Sequence, residues 1–227
     1  MNEELLSAVE MKPPAEARAS VVWLHGLGAD GHDFEGIVPY LGLPPGHGIR
    51  FVFPHAPAIP VTINGGLVMP AWYDITHEDL GKRHDAEGVR RSAERVAALL
   101  AREAERGIPP SRTVLAGFSQ GGAIALYLGL RRPQKLAGVM ALSTYLVWDP
   151  PEDDALSPAN RGTPVFLAHG EHDPLVPLAG GESARRRLAA LGYPVEWRTY
   201  PIQHQVSLEE IREVGAWLLR VLDEEAG

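Results

Sequence analysis

A strand, a tight turn and a helix in direct succession constrain this chain more than any other stretch. Residues 113–116 are β-branched or apolar, and residues 122–128 favour a helix that begins with small side chains. Between them lies the pentapeptide Gly117-Phe118-Ser119-Gln120-Gly121. Its glycines remove Cβ atoms that would clash in so sharp a turn, which leaves the serine at the apex, beside the helix N-terminus. A G-x-S-x-G pattern in this setting is typical of the nucleophile elbow of hydrolases, so Ser119 is predicted to be a nucleophile. The competing interpretation is a glycine-rich turn with an incidental serine.

Several kinds of chemistry are excluded by what the composition lacks. The chain has 227 residues, no cysteine and a formal net charge of −8. Without cysteine there is no disulfide, no thiolate zinc site and no thiol nucleophile. The acidic balance provides no surplus of basic side chains to neutralise phosphates, so nucleic acid is not expected as a partner. No pair of histidines has the H-E-x-x-H spacing of a zinc hydrolase, so no metal and no cofactor is expected.

The location expected from the sequence is cytoplasmic. The N-terminal residues 1–4 are partly acidic and lack the basic-then-apolar layout of a signal peptide. No apolar run is long enough to cross a bilayer, so no stable membrane insertion is expected.

Apolar runs and amphipathic patterns alternate along the chain. Strands are predicted at 8–11, 20–24, 49–54, 113–116, 136–142, 164–168 and 195–200. Helices are predicted at 33–41, 85–106, 122–128, 180–191 and 207–222, the last from the capping box Ser207-Leu208-Glu209-Glu210. This alternation predicts a single α/β domain over residues 1–227, with a doubly wound, mainly parallel sheet and helices on both faces. Ligands of such sheets bind at the carboxyl ends of the strands, just past which the sequence places four polar residues: His25, Ser119, His169 and Asp173.

The connection from His55 to Leu80 is long for such a fold, and long connections are often functional. Residues 61–63 and 67–69 are predicted to form a small hairpin around an Asn-Gly turn at 64–66. The segment 60–75 is therefore interpreted as a hairpin insertion.

The helix predicted at 85–106 has one apolar face and one face of mixed charge. Glu87 and Arg91, like Arg90 and Glu94, are four residues apart, and Glu103 is counted on the same charged face. The arginines could form a phosphate-binding patch. Their interleaving with glutamates favours a solvated, salt-bridged face instead.

A serine nucleophile needs a general base and an acid that orients it. In this architecture the order along the chain is Ser, acid, His, so the base is one of the histidines after Ser119, and His204 is the one with the best acid before it. Asp173 is the preferred acid because it closely follows a buried strand. The alternative acids are Glu171 as the backup, and Asp149, Asp153 and Asp154 in a proline- and aspartate-rich loop at 147–162.

The tetrahedral intermediate needs two hydrogen-bond donors for its oxyanion. The backbone N–H groups of Gln120 and Leu27 are predicted to supply them, from the elbow and from the glycine-rich loop at 25–28. On this view Gln120 acts only through its backbone, so Gln120→Ala is expected to be nearly silent. His25 is expected to be structural.

Five stretches together resemble one known family: Leu24–Asp30, Pro60–Gly66, Ala71–Ile75, Leu115–Gly122 and His169–Asp173. They are similar to the phospholipase/carboxylesterase family, which includes bacterial carboxylesterases and acyl-protein thioesterases. The resemblance implies an α/β-hydrolase fold with no large lid domain, and the same catalytic residues, Ser119, Asp173 and His204.

The resemblance also implies the surroundings of the substrate. The hairpin from Ile63 to Trp72 would border the acyl pocket, with Val176 near it. The implied substrate-binding residues are Leu27, Ile63, Trp72 and Val176. A homodimer is a further implication. This chain departs from the family pattern at Gln203, before the predicted base, and at Pro70, before Ala71.

Together these features predict a serine carboxylesterase that hydrolyses short- to medium-chain carboxylic esters and, as an extension, thioesters. The alternatives are a lysophospholipase or an acyl-protein thioesterase acting through the same triad. A non-catalytic binding protein on an α/β-hydrolase fold and a peptidase are the more distant alternatives.

Overall fold

The computed structural model describes residues 5–77, 84–148 and 155–223, and within these ranges strands and helices alternate as predicted. The strands are β1 (Ala8–Met11), β2 (Ala19–Leu24), β3 (Ile49–Pro54), β4 (Ala58–Val61), β5 (Leu67–Pro70), β6 (Thr113–Phe118), β7 (Gly138–Leu142), β8 (Val165–Gly170) and β9 (Val195–Tyr200). The α-helices are α1 (Ala86–Glu105), α2 (Gln120–Gly129), α3 (Leu178–Ala190) and α4 (Leu208–Asp223). The N-terminal residues 1–4 and the alternative acids Asp149, Asp153 and Asp154 lie outside the described residues.

In the described part of the chain, seven strands form one sheet in the order β1-β3-β2-β6-β7-β8-β9. β1 runs antiparallel to β3, and the other neighbouring strands are parallel. Every residue of β2, β6, β7 and β8 is buried, because helices cover both faces of the sheet. The prediction of a doubly wound, mainly parallel sheet is confirmed.

Two apolar cores lie on opposite faces of this sheet. One packs α1, α2 and α3 against it, through side chains such as Val96, Ile124 and Leu188. The other packs α4, through Trp217, with Phe34 from the segment after β2. The sheet is thereby held rigidly between helices, and its carboxyl edge is left for the loops that follow β2, β6, β8 and β9.

The elbow between β6 and α2 depends on its glycines. Ser119 has φ 53° and ψ −121°, a backbone conformation that non-glycine residues rarely adopt. A Cβ on Gly117 would lie 2.3 Å from the Gly121 carbonyl group. A Cβ on Gly121 would lie 2.5 Å from the carbonyl oxygens of Leu24 and His25. The glycines therefore relieve the clash within the turn, as the sequence predicts, and Gly121 also lets the elbow approach the end of β2.

The helix predicted at 33–41 is instead a short 3₁₀-helix, Glu35–Tyr40. Pro39 lies inside this helix and has no N–H to donate. Phe34, the residue that precedes the helix, makes no side-chain capping hydrogen bond. The chain here makes about two tight turns and then continues towards β3.

The hairpin is present and its second strand starts at Leu67 as predicted, but its first strand and its turn begin earlier than predicted. β4 pairs antiparallel with β5, and they are joined by a 3₁₀ turn at Thr62–Asn64 and two glycines with positive φ. Thr62 leaves the strand because its N–H and its hydroxyl both donate to the carboxylate of Asp74, at 2.7 and 2.5 Å. A contact outside the hairpin thus sets where the turn begins.

β8 is longer than predicted, because it extends through Gly170. Its last residues, His169 and Gly170, pair with Thr199 and Tyr200 of β9. His169 therefore lies within the sheet, and the expectation that it follows the strand end is wrong.

The loop predicted at 147–162 is anchored at its described end. Asn160 is buried and lies in a 3₁₀-helix, Pro158–Asn160. Its side-chain amide donates to the carbonyls of Arg132 and Gln134 and accepts from the N–H of Leu136.

No helix in the described ranges is both long and apolar enough to cross a membrane.

Candidate active site

The structure brings three of the predicted residues into one hydrogen-bonded series at the carboxyl edge of the sheet. Ser119 follows β6, Asp173 follows β8 and His204 follows β9. His204 Nε2 lies 3.0 Å from Ser119 Oγ, and His204 Nδ1 lies 2.6 Å from Asp173 Oδ2. With Nδ1 donating to the carboxylate, Nε2 is left as an acceptor for the serine proton, which is the arrangement a serine nucleophile requires.

The carboxylate of Asp173 is buried and held from two sides. Its Oδ1 accepts the backbone N–H groups of Leu175 and Val176, each at 2.9 Å, while Oδ2 faces His204. These bonds hold the carboxylate in the orientation that His204 needs, with an oxygen facing Nδ1.

A second histidine supports the same turn. His169 Nε2 donates to the carbonyl of Val176 at 2.9 Å and lies 3.7 Å from Asp173 Oδ2. Burial lowers the pKa of His169, although the Val176 carbonyl and the Asp173 charge oppose this effect. His169 is therefore a neutral residue that packs beneath the turn carrying Asp173.

The alternative acid Glu171 is not part of the series. Its side chain is exposed, and its Oε1 accepts the hydroxyl of Thr199 at 3.0 Å. The neighbouring His172 is also exposed. Among the described residues, Asp173 is thus the carboxylate that contacts His204.

The ring of His204 packs on the elbow itself. Its centroid lies 4.7 Å from that of Phe118, which in turn lies 5.5 Å from the ring of Phe34. The side chain of His204 is 13% exposed, so the imidazole is positioned by packing as well as by hydrogen bonds.

Leu27 and Gln120, the two predicted oxyanion donors, both line the cavity that contains Ser119. Their backbone N–H groups donate to no backbone carbonyl in the described loops and turns. The loop that carries Leu27 is fixed at its next residue, because the Gly28 N–H donates to the carbonyl of Pro70 at 2.8 Å. Pro70, one of the departures from the family pattern, thus acts through its carbonyl in this contact.

The side chain of Gln120 is where the sequence-based expectation fails. It is 1% exposed, its Oε1 accepts the N–H of Trp72 at 2.8 Å, and its Nε2 donates to the carbonyl of Tyr73 at 2.7 Å. A silent Gln120→Ala substitution is therefore not expected from this geometry. The sequence did contain a signal for this role of the Gln120 side chain. A buried amide needs hydrogen-bond partners, so a glutamine at the start of an apolar helix indicates side-chain contacts.

Trp72 lies beside the site and not in it. Its side chain is 1% exposed and does not line the cavity at Ser119, and its indole N–H donates to the carbonyl of His25 at 2.8 Å. The expectation that Trp72 contacts substrate is corrected accordingly: the indole is directed inward because that buried carbonyl needs a donor. Trp72 instead connects the hairpin segment to the loop at 25–28.

His25 is buried beneath this loop, as expected. Its Nε2 accepts the N–H of Ala56 at 3.1 Å, and its Nδ1 lies 2.7 Å from the carbonyl of Gly26. Burial lowers the pKa of His25, so the ring is neutral and serves as a fixed bridge between two loops.

A cavity of about 400 Å³ opens beside Ser119 and His204. Of the predicted substrate-binding residues, Leu27, Ile63 and Val176 line it. Sequence reasoning missed the other side chains along its wall: Ala29, Asp33, Ile75, Phe118, Tyr145 and Leu175. Whether these side chains line the cavity depends on how four separate loops meet, which no local sequence pattern encodes.

Among the described residues, no group of three or more His, Asp or Glu side chains could hold a metal ion.

Comparisons with known proteins point to one family. A family model described as Phospholipase/Carboxylesterase matches residues 7–221. Acyl-protein thioesterase 1 of Gibberella zeae is 40% identical over 213 residues, which are 90% of this chain and 91% of that protein.

Two solved plant structures share the fold. Arabidopsis thaliana SOBER1 is 30% identical with a TM-score of 0.86, covering 91% of this chain and 100% of that one. Acyl-protein thioesterase 2 of Zea mays is 30% identical with a TM-score of 0.83, covering 95% and 99%. These likenesses confirm the α/β-hydrolase fold, and no large lid domain covers the site within the described ranges.

Proposed function

The chain belongs to the phospholipase/carboxylesterase family of hydrolases, and we propose that it cleaves short- to medium-chain carboxylic esters through a covalent acyl-enzyme. The observation that carries this proposal is the hydrogen-bonded series from Ser119 through His204 to Asp173 on the wall of a cavity. The role of each residue follows from that series.

Acylation begins when Ser119 Oγ attacks the ester carbonyl carbon while its proton passes to His204 Nε2. The carbonyl electron pair moves onto oxygen, and the N–H groups of Leu27 and Gln120 stabilise the resulting oxyanion. Asp173 accepts a hydrogen bond from the Nδ1–H of His204 and stabilises the imidazolium without taking its proton. Collapse of the intermediate re-forms the carbonyl, and the leaving oxygen or sulfur takes the proton from Nε2.

Deacylation repeats these steps with water. His204 Nε2 removes a proton from the water molecule as its oxygen attacks the acyl carbon, and the same two N–H groups stabilise the second oxyanion. Collapse returns the proton to Ser119 Oγ and releases the carboxylic acid. No step requires a metal or an organic cofactor.

The proposed substrate range rests on the shape of the cavity. Its volume of about 400 Å³ is near the lower end of the roughly 300–1,000 Å³ typical of small-molecule sites. Aliphatic side chains from four loops form much of its wall, including Ile63, Ile75 and Val176. Such a site favours a short or medium acyl chain.

A thioesterase is the second candidate function. It is favoured by the curated acyl-protein thioesterases that are 34% to 40% identical to this chain. The same intermediate forms from either substrate, and a thiolate needs less help from His204 to leave. Lysophospholipid hydrolysis remains an alternative through the same residues.

The test of the mechanism is Ser119→Ala. Its turnover of p-nitrophenyl butyrate should fall by a factor on the order of 10⁶, as losses of a triad serine do. Ser183→Ala, at an exposed serine on α3, is the matched control and should retain wild-type turnover. A Ser119→Ala enzyme that keeps most of its activity would disprove the mechanism. Failure of the wild type to react with a fluorophosphonate probe would instead favour a non-catalytic binding protein.

The test of the substrate is a matched panel. Butyryl, octanoyl and palmitoyl groups are each presented as an oxygen ester and as a thioester of comparable leaving group, and kcat/KM is compared. The carboxylesterase proposal expects the highest values for the shorter oxygen esters. Higher values for the palmitoyl thioester would assign the second candidate.

We also infer from the family resemblance that the chain forms a homodimer. The exposed Leu67 and Val68 on the hairpin are compatible with a contact surface. Light scattering should then give a mass near twice the 24.6 kDa of the chain, and a monomer mass would reject the dimer.

A further inference from the structure

A buried hydroxyl beside the elbow bonds the peptide unit that joins Ser119 to Gln120. Thr144 is 2% exposed, and its Oγ1 donates to the carbonyl oxygen of Ser119 at 2.6 Å. In a planar trans peptide the carbonyl and the following N–H point in opposite directions. The contact at the Ser119 carbonyl therefore sets the direction of the Gln120 N–H, which is one of the two predicted oxyanion donors.

The chain at the end of β7 bonds both backbone polar groups of the nucleophile. The Ser119 N–H donates to the carbonyl of Leu142 at 2.8 Å, and the Ser119 carbonyl accepts from Thr144, two residues further along. The Ala123 N–H also donates to this carbonyl, at a longer distance of 3.2 Å. Ser119 and Ser143 both have positive φ, of 53° and 47°. Non-glycine residues rarely adopt this conformation, so contacts on both sides are needed to keep the elbow in it.

The side chain of Thr144 is itself fixed by packing. A Cβ on Gly122, in the first turn of α2, would lie 2.9 Å from Thr144 Cβ and 3.0 Å from its Cγ2. The glycine thus allows the branched side chain to pack against the helix, and confinement of its methyl group also fixes the direction of its hydroxyl. Thr144 does not line the cavity at Ser119, so any effect on the reaction is exerted through the elbow.

The second predicted oxyanion donor is oriented in a similar way. The Leu27 N–H shares its peptide unit with the carbonyl of Gly26, and His25 Nδ1 lies 2.7 Å from that oxygen. Because His25 Nε2 accepts the N–H of Ala56, the proton of the neutral ring is on Nδ1, which donates to Gly26. Each predicted donor thus belongs to a peptide whose carbonyl accepts a hydrogen bond from a buried side chain. Such a bond also polarises the peptide and strengthens its N–H as a donor.

From these contacts we propose that Thr144 is a positioning residue that orients the peptide between Ser119 and Gln120, so that the Gln120 N–H is directed at the developing oxyanion. Its hydroxyl transfers no proton to or from the substrate. This inference rests on the proposed esterase mechanism and adds to it the residue that aligns one of its two oxyanion donors.

The experiment removes the hydroxyl while keeping the shape of the side chain. In Thr144→Val a methyl group replaces the hydroxyl; it cannot donate, and it cannot approach the Ser119 carbonyl as closely as 2.6 Å. Removing an oxyanion donor outright lowers kcat by about 10²–10³, and rotating one away should lower kcat for p-nitrophenyl butyrate by about 10- to 100-fold. Thr144→Ser keeps the hydroxyl and should recover most of this loss.

Thr113→Val is the matched control, because it removes a buried threonine hydroxyl from the opposite end of β6. Thr113 is 1% exposed, and its Oγ1 donates to the carbonyl of Pro109 at 3.2 Å. This variant should be destabilised in urea, as Thr144→Val should be, but it should keep the wild-type kcat. A loss of kcat confined to Thr144→Val therefore separates positioning from a general structural role.

A second measurement tests the alignment of the oxyanion donors directly. Ser119 Oγ adds to the carbonyl carbon of hexyl trifluoromethyl ketone while its proton passes to His204, and the ketone oxygen becomes an oxyanion between the Leu27 and Gln120 N–H groups. Hexyl methyl ketone, without fluorine, binds largely without this addition. Thr144→Val should weaken inhibition by the fluorinated ketone by about the same factor as kcat, and it should change inhibition by the other ketone by less than about twofold.

Equal effects of Thr144→Val and Thr113→Val on kcat would overturn the inference, and so would a Thr144→Ser enzyme as slow as Thr144→Val. If Thr144→Val does not fold, Thr144→Ala replaces it, because alanine removes the hydroxyl without a clash; equal kcat in Thr144→Ala and Thr144→Ser would then overturn the inference. A wild type that hydrolyses no ester rejects the proposed function itself. An active wild type with an unaffected Thr144→Val rejects this inference alone.

Discussion

The side chain of Gln120 joins the elbow to the segment that follows the hairpin. Both of its polar atoms are bonded to the backbone of residues 72–73, in a fully buried setting. Because Ser119 is its direct neighbour, a change at Gln120 is transmitted to the nucleophile and to one proposed oxyanion donor. This residue therefore has a structural role that its backbone N–H alone would not reveal.

We predict that Gln120→Ala lowers the free energy of unfolding by about 1–3 kcal/mol, because the Trp72 N–H and the Tyr73 carbonyl lose their buried partner. We also expect kcat/KM to fall, since the hairpin segment loses its attachment to the elbow. Urea denaturation and ester hydrolysis measure the two effects. Gln205→Ala, at an exposed glutamine beside His204, is the control for both. Wild-type stability in Gln120→Ala would show that the amide contributes nothing.

The hydroxyls of Tyr73 and Tyr145 lie 2.7 Å apart. Tyr73 is 1% exposed, whereas Tyr145 lines the cavity. Burial raises the pKa of Tyr145 to about 12, so both phenols are neutral in the working range of pH. Tyr145→Phe should cost about 1–3 kcal/mol, because it leaves the Tyr73 hydroxyl buried and unpaired.

Tyr73→Phe should cost less, because the remaining Tyr145 hydroxyl can turn to water in the cavity. Thermal or urea denaturation of the two variants measures the asymmetry directly. Equal losses, or a larger loss in Tyr73→Phe, would contradict the inference that the Tyr145 hydroxyl reaches water and the Tyr73 hydroxyl does not.

Some residues of the site could be predicted from a local motif and their order along the chain, whereas others depend on tertiary packing. Ser119, Asp173 and His204 could be proposed from a motif and chain order, and the structure places them in contact; their catalytic roles remain predictions. Trp72 and Asp33 could not be assigned from sequence. Whether each side chain enters the cavity depends on the packing of the hairpin segment and of the loop at 25–33, which involves contacts distant in sequence.

The N-terminus of α4 contains a buried acid, Glu210, next to the loop that carries His204. The predicted capping box is present: the Glu210 N–H donates to Ser207 Oγ at 3.1 Å, and the Ser207 N–H donates to Glu210 Oε2 at 3.4 Å. Burial raises the pKa of Glu210 to about 8, and the charge of Glu213 adds to the rise, while the Ser207 N–H lowers it.

Glu210 should therefore make stability depend on pH. Its pKa is near 4.5 in an unfolded chain, so between about 4.5 and about 8 the folded protein binds more protons than the unfolded one. The stability linked to this group is full below that range and is lost as pH rises through it. Each unit of pKa shift corresponds to about 1.4 kcal/mol.

Glu210→Gln keeps an acceptor for the Ser207 N–H and cannot ionise. Its free energy of unfolding, relative to the wild type, should rise as pH increases from about 5 to about 9. Urea denaturation across this range measures the trend, with Glu209→Gln at the exposed neighbouring position as the control. A difference between Glu210→Gln and wild type that does not vary with pH would contradict a raised pKa.

Elements with strong periodicity were predicted closely, and those set by distant contacts were not. α1 runs from Ala86 to Glu105 against a prediction of 85–106, because its apolar spacing and its ends are both local signals. The Asn-Gly signal located the hairpin turn, but the turn begins at Thr62, two residues earlier than predicted. The reason is a tertiary contact, because Thr62 bonds to Asp74, which lies beyond the second strand.

Across the whole molecule, an ion network ties α1 to the antiparallel edge of the sheet. Glu103 of α1 is fully buried, and its carboxylate lies 2.9 Å from Arg50 of β3 and 3.1 Å from Arg106. Glu10 of β1 contacts Arg106 at 2.9 Å and Arg102 at 2.8 Å. The sequence placed Glu103 on the exposed charged face, which is wrong.

Its position seven residues after Val96 instead puts Glu103 on the buried face of α1. By contrast, Glu87 and Arg91 form an exposed pair at 2.6 Å, as the spacing predicts. The same helix thus offers one buried and one exposed glutamate, each paired with arginine.

These two glutamates allow a direct test of where charge stabilises this fold. Glu103→Gln should lower the free energy of unfolding by about 2 kcal/mol or more, because it leaves arginines at the sheet edge without their buried counter-charge. Glu87→Gln removes the same charge from an exposed pair, and it should change stability by less than about 0.5 kcal/mol. Urea is the appropriate denaturant, because guanidinium salts would screen the network. Equal effects of the two substitutions would show that the network does not hold β1 and β3 against α1.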